Sequence, residues 1–177
     1  AATLFALGAI QFNSIGQTSY ASTLQSAASS AYTWAVANPN VTFYNSGIIA
    51  AGEQEVGTYD VLVRKMAASV FLFALTGTTS YKTFVDNNYS QMHLIQWGYA
   101  YPFETGQQDM LLYYASLSSA TISVANDIKN NYRSSMQTNN ADNLPAYMNQ
   151  TDAYRAYLAD NNYTWGSNTT KGRQGIM

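Results

Sequence analysis

Cysteine is absent from the 177 residues of this chain. A disulfide-stapled scaffold and thiolate metal sites are therefore excluded. Long apolar runs are missing as well, because no stretch approaches the roughly 18 residues that a membrane-spanning helix needs. The sequence thus predicts no disulfide framework and no membrane partner, and its length fits one domain with a sizeable core.

Charge is scarce. The chain has 8 basic and 10 acidic residues, which gives a formal net charge of −2 at pH 7. The basic residues are scattered, whereas a nucleic-acid backbone would need them on one face, so we expect no nucleic-acid partner. Neutral polar residues take the place of charge, and 14% of the residues are aromatic. Such surfaces are typical of secreted proteins that bind sugars, because amides and flat rings suit hydroxyl-rich ligands.

Histidine and glutamate are rare, which limits the catalytic options. His93 has no His or Glu at metal-ligand spacing, so no metal site is expected and a structural or polar-surface role is favoured. The glutamates are Glu53, Glu55 and Glu104. Glu53 and Glu55 could act as an acid–base pair, but neighbours so close in sequence seldom flank opposite sides of one scissile bond. We favour loop solvation for these two and stabilisation of a helix N-terminus for Asp60.

Apolar residues recur at helical spacing along almost the whole chain, which predicts an all-α fold. The first helix should be buried on most sides, and the second should carry Tyr20 and Trp34 on its inner face. Gly77 should end the third helix as a C-cap, and Ile122 should face inward on a later one. Alternating short and long connections favour a bundle, a solenoid or a toroid. The predicted helices cover about residues 2–12, 18–38, 58–76, 79–89, 105–116, 118–137 and 151–162.

Two connections are long. Residues 38–57 should form a loop with a short extended piece at Val41–Tyr44, and residues 93–106 should form an aromatic-rich connection. Trp97 lies in the second connection and Trp165 in a later one, and each precedes a glycine. Rings displayed on loops can stack on sugar rings, so for both tryptophans a sugar-binding role and a core role stand level on this pattern.

Four segments occur in a fixed order: AATLFALGAIQF, YASTLQSAASSAYTWAVANPN, MAASVFLFALTGTTSY and YTWGSNTTKGRQGIM. Together they resemble the family-nine glycoside hydrolases, the cellulases and endoglucanases. The last segment resembles the family's Tyr-x-Trp-Gly-Ser-Asn stretch, and the second resembles its Ala-Trp-x-Trp-Ala helix. The chain departs from the family at three places: Tyr32 stands at the first Trp of that helix, Val63-Arg64 stand where Asp-Glu is common, and Thr169 stands where some members have Arg.

The resemblance implies an (α/α)₆ toroid of helical hairpins that hydrolyses β-1,4-glucosidic bonds with inversion. It implies a β-glucan polysaccharide or oligosaccharide as partner and a secreted location. Trp165 is then the better candidate for a wall of the sugar cleft, and Trp97 is the second. Gly166 and Ser167 should turn the chain into a helix that starts about Thr169. No cofactor is expected. Calcium occurs in the family, but nothing in this sequence supports a calcium site.

The catalytic motifs of the family are not found in these residues. Its Asp-Ala-Gly-Asp motif and its His-His-Arg segment are missing, and none of the three glutamates matches a catalytic position of the family. We therefore assign no catalytic residue. We interpret residues 1–177 as the central portion of a single catalytic domain, truncated at both ends, which is inactive alone and needs the remainder of the domain as its partner.

Two alternatives remain open. A non-catalytic helical-repeat protein that binds glycans would explain the richness in Asn, Tyr and Trp and the lack of a carboxylate pair, but not the ordered segments. Another carbohydrate enzyme with an α/α toroid would need a catalytic acid among the few Glu and Asp residues present.

Overall fold

The computed structural model describes most of the chain in two compact units, Ala1–Asn88 and Tyr89–Met177. The described residues are 1–43, 55–101 and 103–137, with Gly166, Asn168, Thr169 and Gly172. All the named elements in these residues are helical, so the predicted all-α class is confirmed. The predicted helix over 151–162 lies outside the described residues.

The helices follow the predicted order closely. The first unit contains α1 (Ala2–Ser14), α2 (Thr18–Ala37), α3 (Thr58–Thr76) and α4 (Thr79–Asn88). The second unit contains a 3₁₀ turn (Tyr89–Gln91), α5 (His93–Gln96), α6 (Thr105–Ser116) and α7 (Ile122–Gln137). The last of these begins later than the predicted residue 118, because residues 118–121 are rich in hydroxyl side chains that favour turns over helix interiors. No helix in the described part of the chain is long and apolar enough to cross a membrane.

Small side chains hold α1 against α2. Gly16 has φ of 79°, which lets the chain turn tightly between the two helices. A Cβ on Gly8 would lie 3.1 Å from Leu24 Cδ1, so the backbone of α1 approaches α2 closely. The buried residues that the two helices contribute are all alanines: Ala6, Ala9, Ala21 and Ala28.

The large apolar residues of these helices lie largely outside the core, so three predictions are wrong. Leu4 is 73% exposed, hence α1 is not buried on most sides. Trp34 is 59% exposed and Tyr20 is exposed too. The inner face of α2 follows Ala21, Ala28 and the half-buried Tyr32, and Trp34 lies two residues or about 200° around the helix from Tyr32.

A similar correction applies to Ile122 in the second unit. It is 77% exposed at the first position of α7. The buried face of this helix begins instead at Val124 and Ala125 and continues at Ile128, which is the spacing of one helical stripe.

The core of the first unit centres on α3. Leu72 packs with Ala6 and Ala28, and half-buried apolar residues surround the three of them: Tyr32, Phe71, Leu75 and Tyr81. The Tyr32 hydroxyl and the buried Ser69 Oγ are hydrogen-bonded at 2.9 Å. Burial raises the pKa of Tyr32, while the hydrogen bond with Ser69 acts in the opposite direction.

Both ends of α3 carry the predicted caps. The Gly57 N–H donates to Asp60 Oδ2 at 2.9 Å, so Asp60 stabilises the helix N-terminus as expected. Gly77 has φ of 68° and its N–H donates to the Phe73 carbonyl at 2.8 Å, which confirms the glycine C-cap.

The long loop between α2 and α3 is closed by an isolated antiparallel bridge. Phe43 and Val56 exchange backbone hydrogen bonds of 2.9 and 2.6 Å. Phe43 therefore belongs to an extended piece, as predicted for Val41–Tyr44. Residues 44–54 lie outside the described residues.

The second unit is built on the pairing of α6 with α7. The Tyr114 hydroxyl accepts a 3.4 Å hydrogen bond from the Thr121 N–H and so fixes the start of α7. The buried apolar residues of the two helices are Met110, Leu111, Tyr114, Ala115, Val124, Ala125 and Ile128. These helices form the base against which the aromatic-rich connection is held.

Candidate functional site

The aromatic-rich connection of the second unit forms an ordered cluster. Residues 93–96 form the single turn of α5, where the sequence pattern predicted only a connection. The Trp97 N–H donates to the His93 carbonyl at 2.9 Å, an i to i−4 bond that places the two side chains one above the other. Gly98 has φ of 58° and turns the chain away immediately afterwards.

His93 and Trp97 stack as parallel rings. Their centroids are 3.6 Å apart and their planes differ by 14°. The Tyr101 ring meets Trp97 edge-on at 5.8 Å and 74°. Tyr101 also contacts Phe103 and Tyr99, with centroid distances of 5.3 and 6.3 Å. We call these five residues the aromatic cluster.

Glu104 holds the imidazole of His93. The Nδ1–H of His93 donates to the two carboxylate oxygens of Glu104, at 2.8 and 3.0 Å. Both side chains are mostly buried. Because a carboxylate only accepts hydrogen bonds, Nδ1 must carry the proton in this contact. Glu104 directly precedes α6, where a negative charge interacts favourably with the helix dipole.

Three further hydrogen bonds hold the segments around the cluster. The buried Gln108 side chain donates from Nε2 to the Tyr101 carbonyl at 2.8 Å, while its Oε1 has no partner among the described residues. The Ala100 N–H donates to Ser135 Oγ of α7 at 2.5 Å. The Tyr89 hydroxyl donates to Asp127 Oδ2 at 2.9 Å and joins the 3₁₀ turn to the same helix.

The cluster leaves aromatic surface open to solvent. Trp97 is 51% exposed although His93 covers it on one side and Tyr101 meets it edge-on. Phe103 is 38% exposed. A flat ring that is fixed and half open is suited to stack on the apolar face of a sugar or on another planar group.

The first unit has a groove of a different kind. It has a volume of about 760 Å³ and lies among the start of α1, the end of α2 and the first half of α3. Its walls are mostly apolar and include Trp34. Arg64 and Lys65 also line it, and Lys65 Nζ lies 4.4 Å above the Phe84 ring. No carboxylate occurs among the described residues that line it.

The sequence-predicted site residues are only partly described by the structure. Trp97 lies in the aromatic cluster, whereas Trp165 lies outside the described residues. Beyond it, Gly166 has φ of 83°, and Asn168 and Thr169 are helical, which agrees with the predicted turn into a helix. Among the described residues, no group of three or more His, Asp or Glu side chains could hold a metal ion.

The glutamates have different surroundings. Glu53 lies outside the described residues, and Glu55 is exposed next to the Phe43–Val56 bridge. Glu104 is paired with His93, which the sequence pattern missed because the two are eleven positions apart and lie on either side of an irregular segment. The spacing of four between His93 and Trp97 was the available signal, and it was hidden because the segment carries no other mark of a helix.

Comparison with protein families gives a match. A family model described as Glycosyl hydrolase family 9 matches residues 1–176. No curated protein matches the chain, and no solved structure matches it. The family match covers nearly the whole chain and includes the aromatic cluster.

Proposed function

The chain belongs to glycosyl hydrolase family 9, and we propose that it supplies scaffold and part of the sugar cleft to a domain that hydrolyses β-1,4-glucosidic bonds in cellulose or related β-glucans. At the family level it is a glycoside hydrolase of the cellulase type, and its helices belong to the (α/α)₆ architecture of that family. Membership in the family explains the order of the four segments. A non-catalytic glycan-binding protein would not explain this order.

The proposed reaction is a single displacement with inversion. It requires a carboxylic acid that protonates the leaving oxygen and a carboxylate that activates water, about 6.5–9.5 Å apart. The chain lacks the family's Asp-Ala-Gly-Asp motif, and Glu104 is engaged with His93. We therefore place the catalytic pair in the remainder of the domain and expect residues 1–177 alone to be inactive.

An activity assay tests this assignment. Incubation of the 177-residue chain with a soluble cellulose derivative should release no reducing ends above the buffer control. Hydrolysis that disappears in Glu104→Gln or Glu55→Gln would place a catalytic acid within the chain and contradict the assignment.

The observation that carries the sugar-binding role is the geometry of Trp97. Its ring is stacked on His93, braced by Tyr101 and still half exposed. Sugar rings present axial C–H groups that pack on such a surface, and a ring that is already fixed loses little conformational entropy on binding. Trp97 would therefore form one wall of the glucan cleft.

Affinity for cello-oligosaccharides tests this role. Trp97→Ala should weaken binding about tenfold, which corresponds to roughly 1.4 kcal/mol. Trp34→Ala is the matched control, because Trp34 is also an exposed tryptophan but lies in the first unit. A loss of affinity in Trp34→Ala, with none in Trp97→Ala, would move the proposed cleft to the groove of the first unit.

Trp165 is the other proposed wall, and the resemblance of its Tyr-Thr-Trp-Gly-Ser-Asn setting to the family stretch makes it the better candidate of the two. Trp165→Ala should weaken cello-oligosaccharide binding by at least as much as Trp97→Ala. We also propose that the whole protein is secreted, since its substrate is an extracellular polymer, and detection of the protein in the culture medium of its source would test this.

A further inference from the structure

We infer that His93 and Glu104 are positioning residues that hold Trp97 in the orientation it needs to bind a glucan. This inference rests on the proposed role of Trp97. Neither residue is placed against the sugar. Each acts through its neighbour, His93 by stacking on the indole and Glu104 by holding the imidazole.

The first step is the support of the indole. An exposed tryptophan on a connection can adopt several rotamers, and binding must select one of them. Here His93 lies parallel to the ring at 3.6 Å, and Tyr101 meets it edge-on. The backbone bond from Trp97 to the His93 carbonyl fixes the two residues one helical turn apart. The rotamer is thereby selected before any ligand arrives.

The second step is the support of the imidazole. A histidine ring that only stacks can still rotate about its last side-chain bond. The contact of Nδ1 with both oxygens of Glu104, at 2.8 and 3.0 Å, removes this freedom. It also assigns the role of one ring nitrogen, since Nδ1 is the hydrogen-bond donor to the carboxylate.

The third step is the connection of both supports of Trp97 to α6. Glu104 lies at the start of this helix, and its carbonyl accepts backbone hydrogen bonds from Gln107 and Gln108. Gln108 in turn donates to the Tyr101 carbonyl, and Tyr101 contacts Trp97. Trp97 is therefore connected to the first turn of α6 by two routes, one through His93 and Glu104 and the other through Tyr101 and Gln108.

Two kinds of measurement test the positioning role. The first is acrylamide quenching of Trp97 fluorescence. The Trp97 signal is the difference in fluorescence between each variant and the same variant that also carries Trp97→Phe. The dissociation constant for cellohexaose is measured in parallel. His93→Ala should increase the quenching of Trp97 and raise the dissociation constant about threefold to tenfold, because a freed ring must be ordered on binding.

Two conservative variants separate stacking from simple folding. His93→Phe keeps a flat ring under Trp97 but loses Nδ1, and it should restore most of the affinity that His93→Ala loses. Glu104→Gln keeps the size of the side chain but loses the charge, and it should raise the dissociation constant about twofold. Glu55→Gln is the matched control and should change neither measurement, because Glu55 is exposed in the first unit.

The outcomes distinguish this inference from the proposed function. Unchanged quenching of Trp97 in both His93→Ala and Glu104→Gln would overturn the positioning role, whatever happens to binding. Equal losses of affinity in His93→Phe and His93→Ala would overturn the stacking step. Increased quenching in His93→Ala, with a Trp97→Ala variant that binds cellohexaose normally, would support the positioning of Trp97 and reject the glucan site.

Discussion

The two units of this chain differ in how neighbouring side chains support an exposed tryptophan. In the first unit, α1 and α2 pack through alanines, and Trp34 is left exposed on the outside of α2. In the second unit, Trp97 is also exposed, but a histidine, a tyrosine and a carboxylate hold its surroundings in place. Exposure alone therefore does not identify a binding ring. We propose instead that the supporting contacts of Trp97 mark it as the binding ring.

This difference has a physical cause in the packing. Helices that meet through alanine approach closely and leave no space for an indole between them. A connection that begins with a single helical turn can instead place an aromatic ring on its neighbour and fix it by hydrogen bonds to nearby helices. In our proposal, the first arrangement belongs to the scaffold and the second supports a ring that binds the sugar.

The largest effect should come from the centre of the first unit. Leu72→Ala removes a fully buried side chain that packs against Ala6 and Ala28, and it should lower the free energy of unfolding by about 2–5 kcal/mol. Urea denaturation followed by circular dichroism measures it. Ile122→Ala is the control and should cost little, since Ile122 is largely exposed. Equal costs for the two variants would contradict the assigned core.

The alanine packing of α1 and α2 predicts that enlargement is harmful. Ala28→Leu should destabilise the protein by about 1–3 kcal/mol, because the extra atoms have no space between the helices. Ala37→Leu is the matched control, since Ala37 lies at the exposed end of the same helix, and it should be close to neutral. A stable Ala28→Leu variant in thermal denaturation would show that the helices do not meet as closely as described.

The cap of α3 provides a smaller test. Gly77→Ala forces an L-residue to adopt φ of 68°, and we expect a cost of about 1 kcal/mol in urea denaturation. Gly106→Ala should be neutral or slightly stabilising, because Gly106 lies in α6 and a Cβ there meets nothing within 4 Å. If both substitutions behave alike, the left-handed cap is not present.

An effect of similar size is expected at Tyr32, where it carries a pH dependence. Tyr32→Phe removes the hydrogen bond with the buried Ser69 and should cost about 1 kcal/mol at neutral pH, whereas Tyr20→Phe at an exposed position should cost nothing. The pKa of Tyr32 is raised above its usual 10.0, chiefly by burial. Because the pKa is raised in the folded state, the contribution of the Tyr32 hydroxyl to the free energy of unfolding is present below about pH 10. It is lost as the pH rises through the folded value of the pKa.

The difference in unfolding free energy between wild type and Tyr32→Phe should therefore shrink above about pH 10. Denaturation curves at neutral and alkaline pH give the comparison. A difference that grows with alkalinity would contradict the assigned burial of Tyr32.

Much of the fold could be predicted from the sequence because local signals mark the helices. The residues that stabilise the two ends of α3 were both predicted, since Asp60 and Gly77 act through the backbone close to them. The inner face of α2 was not predicted correctly, because hydrophobicity favours Trp34 whereas close helix packing selects the alanines. That choice depends on the neighbouring helix, which a pattern within one segment does not contain.

The site was predictable only in part for the same reason. Trp97 stands out as an aromatic residue before a glycine, and its exposure agrees with display on a connection. The support from Glu104 depends on how residues 97–103 bring two distant side chains together, and no spacing rule covers it. Family membership was predictable because it rests on the order of four segments, which does not require any contact to be known.

The most direct test of the account is a titration followed by NMR of the indole Nε1–H signals, each assigned by a Trp→Phe variant of Trp34, Trp97 or Trp165. On addition of cellohexaose, we expect the Trp97 signal to shift, together with that of Trp165, while the Trp34 signal stays in place. A shift of Trp34 with an unchanged Trp97, or no shift of any signal at a saturating sugar concentration, would contradict the claim that the supported ring binds the glucan.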